Sequence, residues 1–211
     1  MKTAVIWGSE GGIGRAVLEQ FREQGWQTIA VARQLTEISD RADFAYAADF
    51  TEEEQLEPIR KVLKREGVQA DVFVFAAGDI GAAKVAESDP QRWKEILENN
   101  LTAAYQTLRV SLPVLSEDAH LFLLGAVSER LQLPGLTAYV AAKAGLEALA
   151  AALAKEERRR KVAVIRPGAV DTDLWEKVPF KKPSHTYRPE QVAERIWQAY
   201  QEGESGQIDL V

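Results

Sequence analysis

The sequence predicts one α/β domain spanning residues 1–211, built on a doubly wound, mostly parallel sheet of six or seven strands with helices on both faces. Short apolar, β-branched runs alternate with longer amphipathic stretches along the whole chain. Such alternation implies right-handed βαβ units and a parallel sheet that is covered on both sides. The length of 211 residues is close to that of one ordinary domain, and no internal repeat or low-complexity linker divides it.

In the first part of the chain, strand and helix signals alternate regularly. Thr3–Trp7 reads as a strand, and 12–24 reads as a helix that stops at a glycine. Gln27–Ala32 is a second strand, and 43–47 is a weaker third strand. Thr51 is a good N-cap followed by three glutamates, so we expect a helix from there to about residue 66.

The same signals continue through the second part of the chain. Pro90 occupies a favourable first helical position after Asp89. The expected elements are strands at 71–75, 119–126, 162–166 and 207–210, and helices at 90–98, 100–115, 136–159 and 189–200. Irregular stretches at 78–88, 128–135 and 170–188 follow the carboxyl ends of the fourth, fifth and sixth strands. That edge of an open α/β sheet is where ligands bind.

Composition excludes several classes of protein. With 46% hydrophobic residues the chain can build a core, so a mainly disordered protein is excluded. The 26 Lys and Arg against 32 Asp and Glu give a net charge of -6, which disfavours binding to a nucleic-acid backbone. Because the chain has no cysteine, it has no disulfide, thiolate metal site or cysteine nucleophile. His120 and His185 lie too far apart in sequence to suggest a metal site.

The hydrophobic segments suggest neither a membrane span nor a signal peptide. No apolar run approaches the roughly 18 residues that a spanning helix needs, and the apolar run at the N-terminus stops at Gly8. We therefore expect a cytoplasmic protein without a membrane or nucleic-acid partner.

A glycine-rich turn connects the first strand to the first helix. Its sequence is Gly-Ser-Glu-Gly-Gly-Ile-Gly, from Gly8 to Gly14. Glycines let the backbone turn sharply and approach a pyrophosphate, and the following helix N-terminus favours the negative charge. The alternative is a glycine-rich turn without a ligand, but the position between strand and helix favours nucleotide binding.

Tyr139 and Lys143 stand four residues apart and therefore share one face of a helix. A nearby ammonium group stabilises a phenolate and lowers the pKa of a tyrosine. Such a tyrosine can donate a proton to a carbonyl during reduction, or accept one from an alcohol during oxidation. The alternative is an aromatic residue of the core beside a solvated lysine.

These motifs together resemble the classical short-chain dehydrogenase/reductase family, over nearly the whole chain. The family's Thr-Gly-x-x-x-Gly-x-Gly turn matches at Gly8, Gly12 and Gly14, with Trp7 in place of the usual threonine. The family's Tyr-x-x-x-Lys pair matches Tyr139 and Lys143. The resemblance implies a Rossmann-like fold and an oxidoreductase that uses a nicotinamide cofactor.

The resemblance also suggests roles for individual residues along the chain. Asn100, chosen over Asn99 by its spacing from Trp93, matches the asparagine that holds a water linked to the lysine; a helix cap is the alternative. Phe75 and Ala76 replace the asparagines common before the family's Ala-Gly pair. The residues expected to bind cofactor are Gly8, Ser9, Gly12, Ile13, Gly14, Arg33, Asp49, Ala77, Gly78, Tyr139, Lys143, Pro167, Gly168, Val170 and Thr172. Among them, Asp49 would contact the adenine and Thr172 the nicotinamide carboxamide.

The family's catalytic serine is missing. Thirteen residues before Tyr139 the chain has Ala126, although the neighbouring Pro-Gly pair keeps its usual position. Ser128 would lie on the same strand face as Ala126 if the extended backbone continued, about 7 Å further along. The expected catalytic residues are Tyr139, Lys143, Asn100 and, as a substitute donor, Ser128, which could instead be a solvent-exposed loop serine.

The cofactor preference rests on the end of the second strand. No carboxylate stands there to bind the ribose hydroxyls of NAD, whereas Arg33 offers a guanidinium suited to a 2′-phosphate. Glu10 could approach the same phosphate or pair with Arg33. We therefore expect NADP(H) to be favoured over NAD(H).

Two functions remain open on the sequence. One is NADP(H)-dependent hydride transfer with a small carbonyl or secondary alcohol as substrate; the other is a weakly catalytic or non-catalytic NADP(H)-binding regulator. The segment at about 173–188 that would cover the substrate is short, which predicts a shallow, open site. The alanine-rich stretch at 148–154 suits close helix packing in a homodimer or homotetramer.

Overall fold

The computed structural model describes residues 1–36 and 38–210, except the side chains of Ser128 and Arg130. Its strands are β1 Thr3–Trp7, β2 Gln27–Ala32, β3 Phe44–Ala47, β4 Ala70–Phe75, β5 Leu115–Leu124, β6 Lys161–Pro167 and β7 Gly206–Leu210. Its α-helices are α1 Gly12–Glu23, α2 Glu53–Arg65, α3 Pro90–Leu97, α4 Ala103–Ser111, α5 Thr137–Glu156 and α6 Pro189–Glu202. The strands form one parallel sheet in the order β3-β2-β1-β4-β5-β6-β7. The predicted doubly wound α/β fold is confirmed, with seven strands.

Alternate strand residues face two hydrophobic layers. On one face, residues such as Phe73 and Leu121 pack against α2, α4 and α5. On the other face, residues such as Val74 and Phe122 pack against α1 and α6. Because both faces are covered, the central strands are buried along almost their whole length, which explains their continuous apolar sequences.

Several boundaries differ from the sequence prediction. β5 begins at Leu115 instead of 119, because the strand runs through an irregularity in its pairing with β4 between Ala70 and Val72. α5 ends at Glu156 instead of 159, and a turn from Glu157 then leads directly into β6. The predicted helices at 90–98 and 100–115 are joined by a π-helical turn, Glu98–Thr102.

α5 is the described helix that is long and apolar enough to cross a membrane by length and composition alone. The sequence prediction counted uninterrupted apolar residues and so stopped at Lys143 and Glu147, which lie within this helix. In the fold, α5 covers the sheet and contributes Leu146, Ala150 and Leu153 to the core.

The order of strands reverses at the centre of the sheet. β1 is followed by β2 and β3 on one side, whereas β4 to β7 lie on the other. A crevice opens beyond the carboxyl ends of strands at such a point, and ligands of open α/β sheets bind there. The predicted site residues after β1, β4, β5 and β6 therefore lie at one edge of the sheet.

Candidate active site

The glycine loop follows β1 and is shaped by two close backbone approaches. Gly8 has a φ of +87°, and its N–H donates to the carbonyl of Val31 at 2.9 Å. A Cβ on Gly8 would lie 2.5 Å from the nitrogen of Ala77, and one on Gly14 would lie 2.1 Å from the Gly8 oxygen. Any larger residue would push the loop apart. The buried Ser9 fixes the loop further, because its hydroxyl donates to the Val31 carbonyl.

The N-terminus of α1, which follows the glycine loop, is suited to bind an anion. Gly11 is the N-cap and provides no side-chain hydrogen bond to the first turn. The N–H groups around Gly12 and Ile13 therefore lack a capping side chain, and they are the groups that bind phosphate at such a helix start. These features fit the pyrophosphate of a dinucleotide. A Cβ on Gly12 would lie 3.1 Å from Cγ2 of Thr172, so the structure brings Thr172 against the loop.

Tyr139 and Lys143 lie on the first turns of α5. Lys143 is only 4% exposed, and its ammonium donates to the carbonyl of Leu124 at the end of β5, at 2.8 Å. Its Nζ is 5.6 Å from the centroid of the Tyr139 ring. Gly78, after β4, completes this group, since a Cβ there would lie 3.5 Å from the same Nζ.

Asn100 joins the same group from the π-helical turn. Its side-chain amide donates to the carbonyl of Asp79 at 2.7 Å and accepts from the Asp79 N–H at 3.3 Å. A Cβ on Gly78 would lie 2.8 Å from its Oδ1. Asn99, the neighbour considered from sequence, instead donates to the carbonyl of Glu95 within its own helix. The structure therefore brings Asn100 together with Lys143, and Asn100 is not a helix cap.

Burial changes the acidity of both residues on α5. Desolvation raises the pKa of Tyr139 to about 12 and lowers the pKa of Lys143 to about 8. The sequence analysis expected the ammonium to lower the tyrosine pKa, and the structure gives the opposite direction. The physical reason is that the cleft withdraws the phenol from water, which disfavours its charged form.

Ala126 follows the carboxyl end of β5 and provides no hydroxyl. It is 5% exposed and follows Gly125, whose N–H donates to the Ile165 carbonyl. β5 ends at Leu124, and a 3₁₀ turn, Ser128–Leu131, begins shortly after it. The extended backbone that would have aligned Ser128 with Ala126 is therefore not present. The Ser128 side chain itself lies outside the part of the chain that the structure describes.

At the end of β2, Arg33 is paired with Glu10 of the glycine loop. Arg33 Nε lies 3.2 Å from one carboxylate oxygen of Glu10, and the N–H of Gln34 donates to the other at 2.9 Å. Ala32, the last residue of β2, has no polar side chain. One of the two arrangements considered from sequence, the ion pair, is thus the one observed.

Asp49 lies after β3 and caps the turn that leads to α2. Its Oδ1 accepts from the N–H and the hydroxyl of Thr51, at 2.9 and 2.8 Å. The turn holds Asp49 half-exposed at the edge of the sheet, where the resemblance expects an adenine contact.

The residues that depart from the family pattern belong to the core. Phe75 is fully buried. Trp7 is also fully buried, packs edge-on against Phe50 and donates its indole N–H to the hydroxyl of Ser111 at 3.0 Å. Because Asn100 binds the backbone of Asp79, the loop after β4 is held without the asparagines of the family pattern.

The loop after β6 is tied to neighbouring chain segments. Pro167 ends the strand, and the N–H of Gly168 donates to the Leu210 carbonyl at 2.8 Å. Val170 pairs with Tyr187 in an isolated β-bridge, which holds the two ends of the segment 171–186 together. This loop contains the predicted covering segment.

The covering segment contacts the loop after β4 through an ion pair. Lys177 lies 2.8 Å from Asp79, whose other carboxylate oxygen lies 2.7 Å from Arg92 of α3. Burial alone would raise the pKa of Asp79, but hydrogen bonds from Lys177 and Arg92 outweigh it and lower the pKa. A cavity of about 260 Å³ lies beside these residues and reaches α5 at Ala138, next to Tyr139.

A charge network around the buried Arg166 was not predicted from sequence. Arg166 on β6 donates twice to Asp209, at 2.7 and 3.1 Å, and once each to Glu129 and Glu147, at 3.1 and 3.2 Å. It joins β7, α5 and the turn after β5, immediately before Pro167. An arginine inside an otherwise apolar strand was the available signal.

Comparison with known proteins supports the family resemblance that the sequence motifs indicate. The short chain dehydrogenase family matches residues 2–182. A 3-oxoacyl-[acyl-carrier-protein] reductase of Haemophilus influenzae is 29% identical over 187 residues, covering 83% of this chain and 76% of the relative. An uncharacterized oxidoreductase of Staphylococcus epidermidis is 28% identical over 189 residues, covering 85% of this chain and 82% of the relative.

Solved structures share the fold. An alcohol dehydrogenase from the archaeon Thermococcus sibiricus, complexed with 5-hydroxy-NADP, is 26% identical with a TM-score of 0.89, covering all of this chain and 96% of that chain. An aldohexose dehydrogenase of Thermoplasma acidophilum, at 20% identity, has a TM-score of 0.85 over 99% of this chain and 92% of that chain. The chain therefore belongs to the short-chain dehydrogenase/reductase family and is an oxidoreductase with a Rossmann-like fold.

Proposed function

We propose that the protein transfers a hydride between NADP(H) and a carbonyl or secondary alcohol, with Tyr139 as the general acid and base. The observation that carries this proposal is the cluster around Gly78. Asn100 Oδ1 and Lys143 Nζ both lie close to this glycine, and Tyr139 stands one helical turn from Lys143. A protein that only bound a nucleotide would not need this set of proton-transferring groups.

The residues of the crevice fit a dinucleotide. The glycine loop and the start of α1 would hold the pyrophosphate, Asp49 would lie at the adenine, and Thr172 at the carboxamide. Gly78 leaves room for the cofactor to pass close to the backbone. When bound, the nicotinamide supplies or accepts the hydride.

Tyr139 is a proton donor in the reductive direction. With its pKa raised to about 12, the phenol is neutral near neutral pH and carries the proton that a reduced carbonyl oxygen requires. Lys143, with a pKa of about 8, is mostly an ammonium at that pH. Its charge stabilises the phenolate that remains after proton transfer.

The absent serine hydroxyl predicts slow chemistry. In this family position, Ala126 cannot donate to the substrate oxygen, and losing one such donor costs on the order of 100- to 1,000-fold in rate. Tyr139 would then be the main hydrogen-bond donor to the reacting oxygen. Catalysis is slowed rather than abolished.

The preference for NADP(H) rests on Arg33. No carboxylate side chain lies on the last residue of β2, and a guanidinium is suited to a phosphate. The Thermococcus sibiricus alcohol dehydrogenase was solved with an NADP derivative, which supports the proposal.

A second candidate is a regulator that binds NADP(H) without significant turnover. The buried Ala126 in place of a catalytic hydroxyl is the observation that favours it. Both candidates bind the same cofactor, so turnover separates them.

We also propose that the protein forms a homodimer or homotetramer. α4 and α5 pack on the same face of the sheet, and their outer surfaces carry Tyr105, 53% exposed, and the exposed alanines Ala141, Ala144 and Ala148. Small residues allow a second copy to pack closely. Light scattering of the purified protein tests this proposal, and a monomer at micromolar concentration would contradict it.

The test of the proposed function is NADPH oxidation with a panel of ketones, aldehydes and quinones. We expect turnover with at least one carbonyl, and a loss of about 100- to 10,000-fold in Tyr139→Phe, because the phenol proton is removed. Cofactor binding is measured in parallel by quenching of tryptophan fluorescence. Binding without turnover across the panel would favour the regulator.

A further inference from the structure

We propose that Glu10 is a specificity-determining residue that weakens binding of the 2′-phosphate. It thereby reduces the difference in affinity between NADP(H) and NAD(H). This inference rests on the proposed function, because it concerns the nucleotide of that same site. Glu10 belongs to the glycine loop, yet its carboxylate lies at the end of β2, where Arg33 and Gln34 stand.

The carboxylate of Glu10 binds two of the donors at the end of β2. One oxygen lies 3.2 Å from Arg33 Nε, and the other accepts from the Gln34 N–H at 2.9 Å. A 2′-phosphate bound by Arg33 would need the same guanidinium. It would have to displace Glu10 or lie beside a second negative charge, and either event costs binding energy.

The same carboxylate can serve a nucleotide that lacks the 2′-phosphate. Ribose hydroxyls are hydrogen-bond donors, and a carboxylate is an acceptor-only group when ionised. Ala32 provides no such acceptor at the end of β2. Glu10, from the glycine loop, therefore supplies a carboxylate at the end of β2, where Arg33 supplies a positive charge.

Glu10 is suited to substitution because its ion pair is exposed. The side chains of Arg33 and Glu10 are 57% and 30% exposed, and such surface pairs contribute little to stability. Glu10→Gln keeps the shape of the side chain, removes its charge and replaces one acceptor oxygen by an amide donor. Glu53→Gln is the matched control, since Glu53 forms an exposed ion pair with Arg109 on α2 and α4, which lie outside the glycine loop and the end of β2.

The experiment measures binding of 2′,5′-ADP and 5′-AMP by calorimetry to wild type, Glu10→Gln, Arg33→Met and Glu53→Gln. In Glu10→Gln we expect the affinity for 2′,5′-ADP to rise about tenfold, while that for 5′-AMP is unchanged or falls by less than about threefold. Arg33→Met should lose about tenfold or more in affinity for 2′,5′-ADP, and Glu53→Gln should match wild type.

Two results would overturn the inference and leave the proposed function intact. One is an unchanged or weaker affinity of Glu10→Gln for 2′,5′-ADP. The other is an equal rise for both nucleotides, which would mean that Glu10 repels the shared 5′-phosphate. If wild type binds neither nucleotide, the proposed function fails together with the inference.

Discussion

At the scale of single residues, Ala126 has the clearest chemical consequence. It follows the carboxyl end of β5, where Lys143 donates to the carbonyl of Leu124, and it is the position at which the family pattern has a hydroxyl. The residue is buried, so the hydroxyl of a serine there would be withdrawn from bulk water. Hydrogen bonds in such a place are stronger than in water.

Ala126→Ser should raise the rate of carbonyl reduction by about tenfold or more, because it adds a donor to the reacting oxygen. The measurement is kcat with the best substrate of the panel. Val127→Thr, which adds a hydroxyl at the next buried position, is the control and should give no increase. Equal rates for Ala126→Ser and wild type would show that the hydroxyl of the family pattern has no role here.

Single residues also show what the sequence could not predict. The spacing of Tyr139 and Lys143 predicted their shared helix face, because a helix has a fixed period. It did not predict the direction of the tyrosine pKa, because desolvation depends on groups from distant parts of the chain. The Arg166 network was missed for the same reason, since Asp209 lies 43 residues away.

At the scale of elements, the π-helical turn positions Asn100. Its Nδ2 donates to the carbonyl of Ile96, the group that the backbone N–H of Asn100 would bond in an α-helix. The helix widens there, and the N–H of Ala103 reaches the carbonyl of Glu98 instead. The predicted helices break near this point, but the form of the break was not predicted, because a π turn has no distinct periodicity. The strands other than β5, by contrast, were predicted closely from their apolar runs.

The turn after α5 depends on Arg160, although its place in the basic run 158–161 predicts a solvated helix end. Its guanidinium donates to the carbonyls of Leu112, Leu115 and Ser116, and its side chain is 14% exposed. These bonds join the end of the α4 segment and the start of β5 to the turn before β6.

Arg160→Met should lower the free energy of unfolding by about 2 kcal/mol, because it removes the hydrogen bonds to three carbonyls and the ion pair with Glu157. Urea unfolding followed by circular dichroism measures this. The neighbouring Arg159 forms an exposed ion pair with Glu117, so Arg159→Met should change stability by less than about 0.5 kcal/mol. Similar losses in the two variants would contradict the role given to Arg160.

At the scale of the whole molecule, the sheet has a titratable residue that is not among the predicted site residues. His120 is buried on β5, where it pairs with Lys161, the first residue of β6. His120 stacks on Phe122, and none of the described residues hydrogen-bonds its Nε2. Burial lowers its pKa from 6.5 to about 4.

His120 should make the fold less stable in mild acid. Between pH 6.5 and about 4 the unfolded chain binds a proton that the folded chain excludes, so stability falls as the pH falls through this window. The full effect is about 3 kcal/mol. Urea unfolding at several pH values measures it. His120→Gln should flatten the dependence, whereas His185→Gln, at an exposed position, should not. Parallel curves for wild type and His120→Gln would contradict this account.

The proposed function depends on one central claim, that Tyr139 donates a proton during hydride transfer. The most direct measurement is a single turnover of a carbonyl substrate with NADPH deuterated at the transferred position, in wild type and Tyr139→Phe. We expect deuterium at the carbinol carbon of the product, and a rate lower by about 100-fold or more in the variant, with unchanged cofactor binding. No deuterium in the product, or an equal rate in Tyr139→Phe, would contradict it.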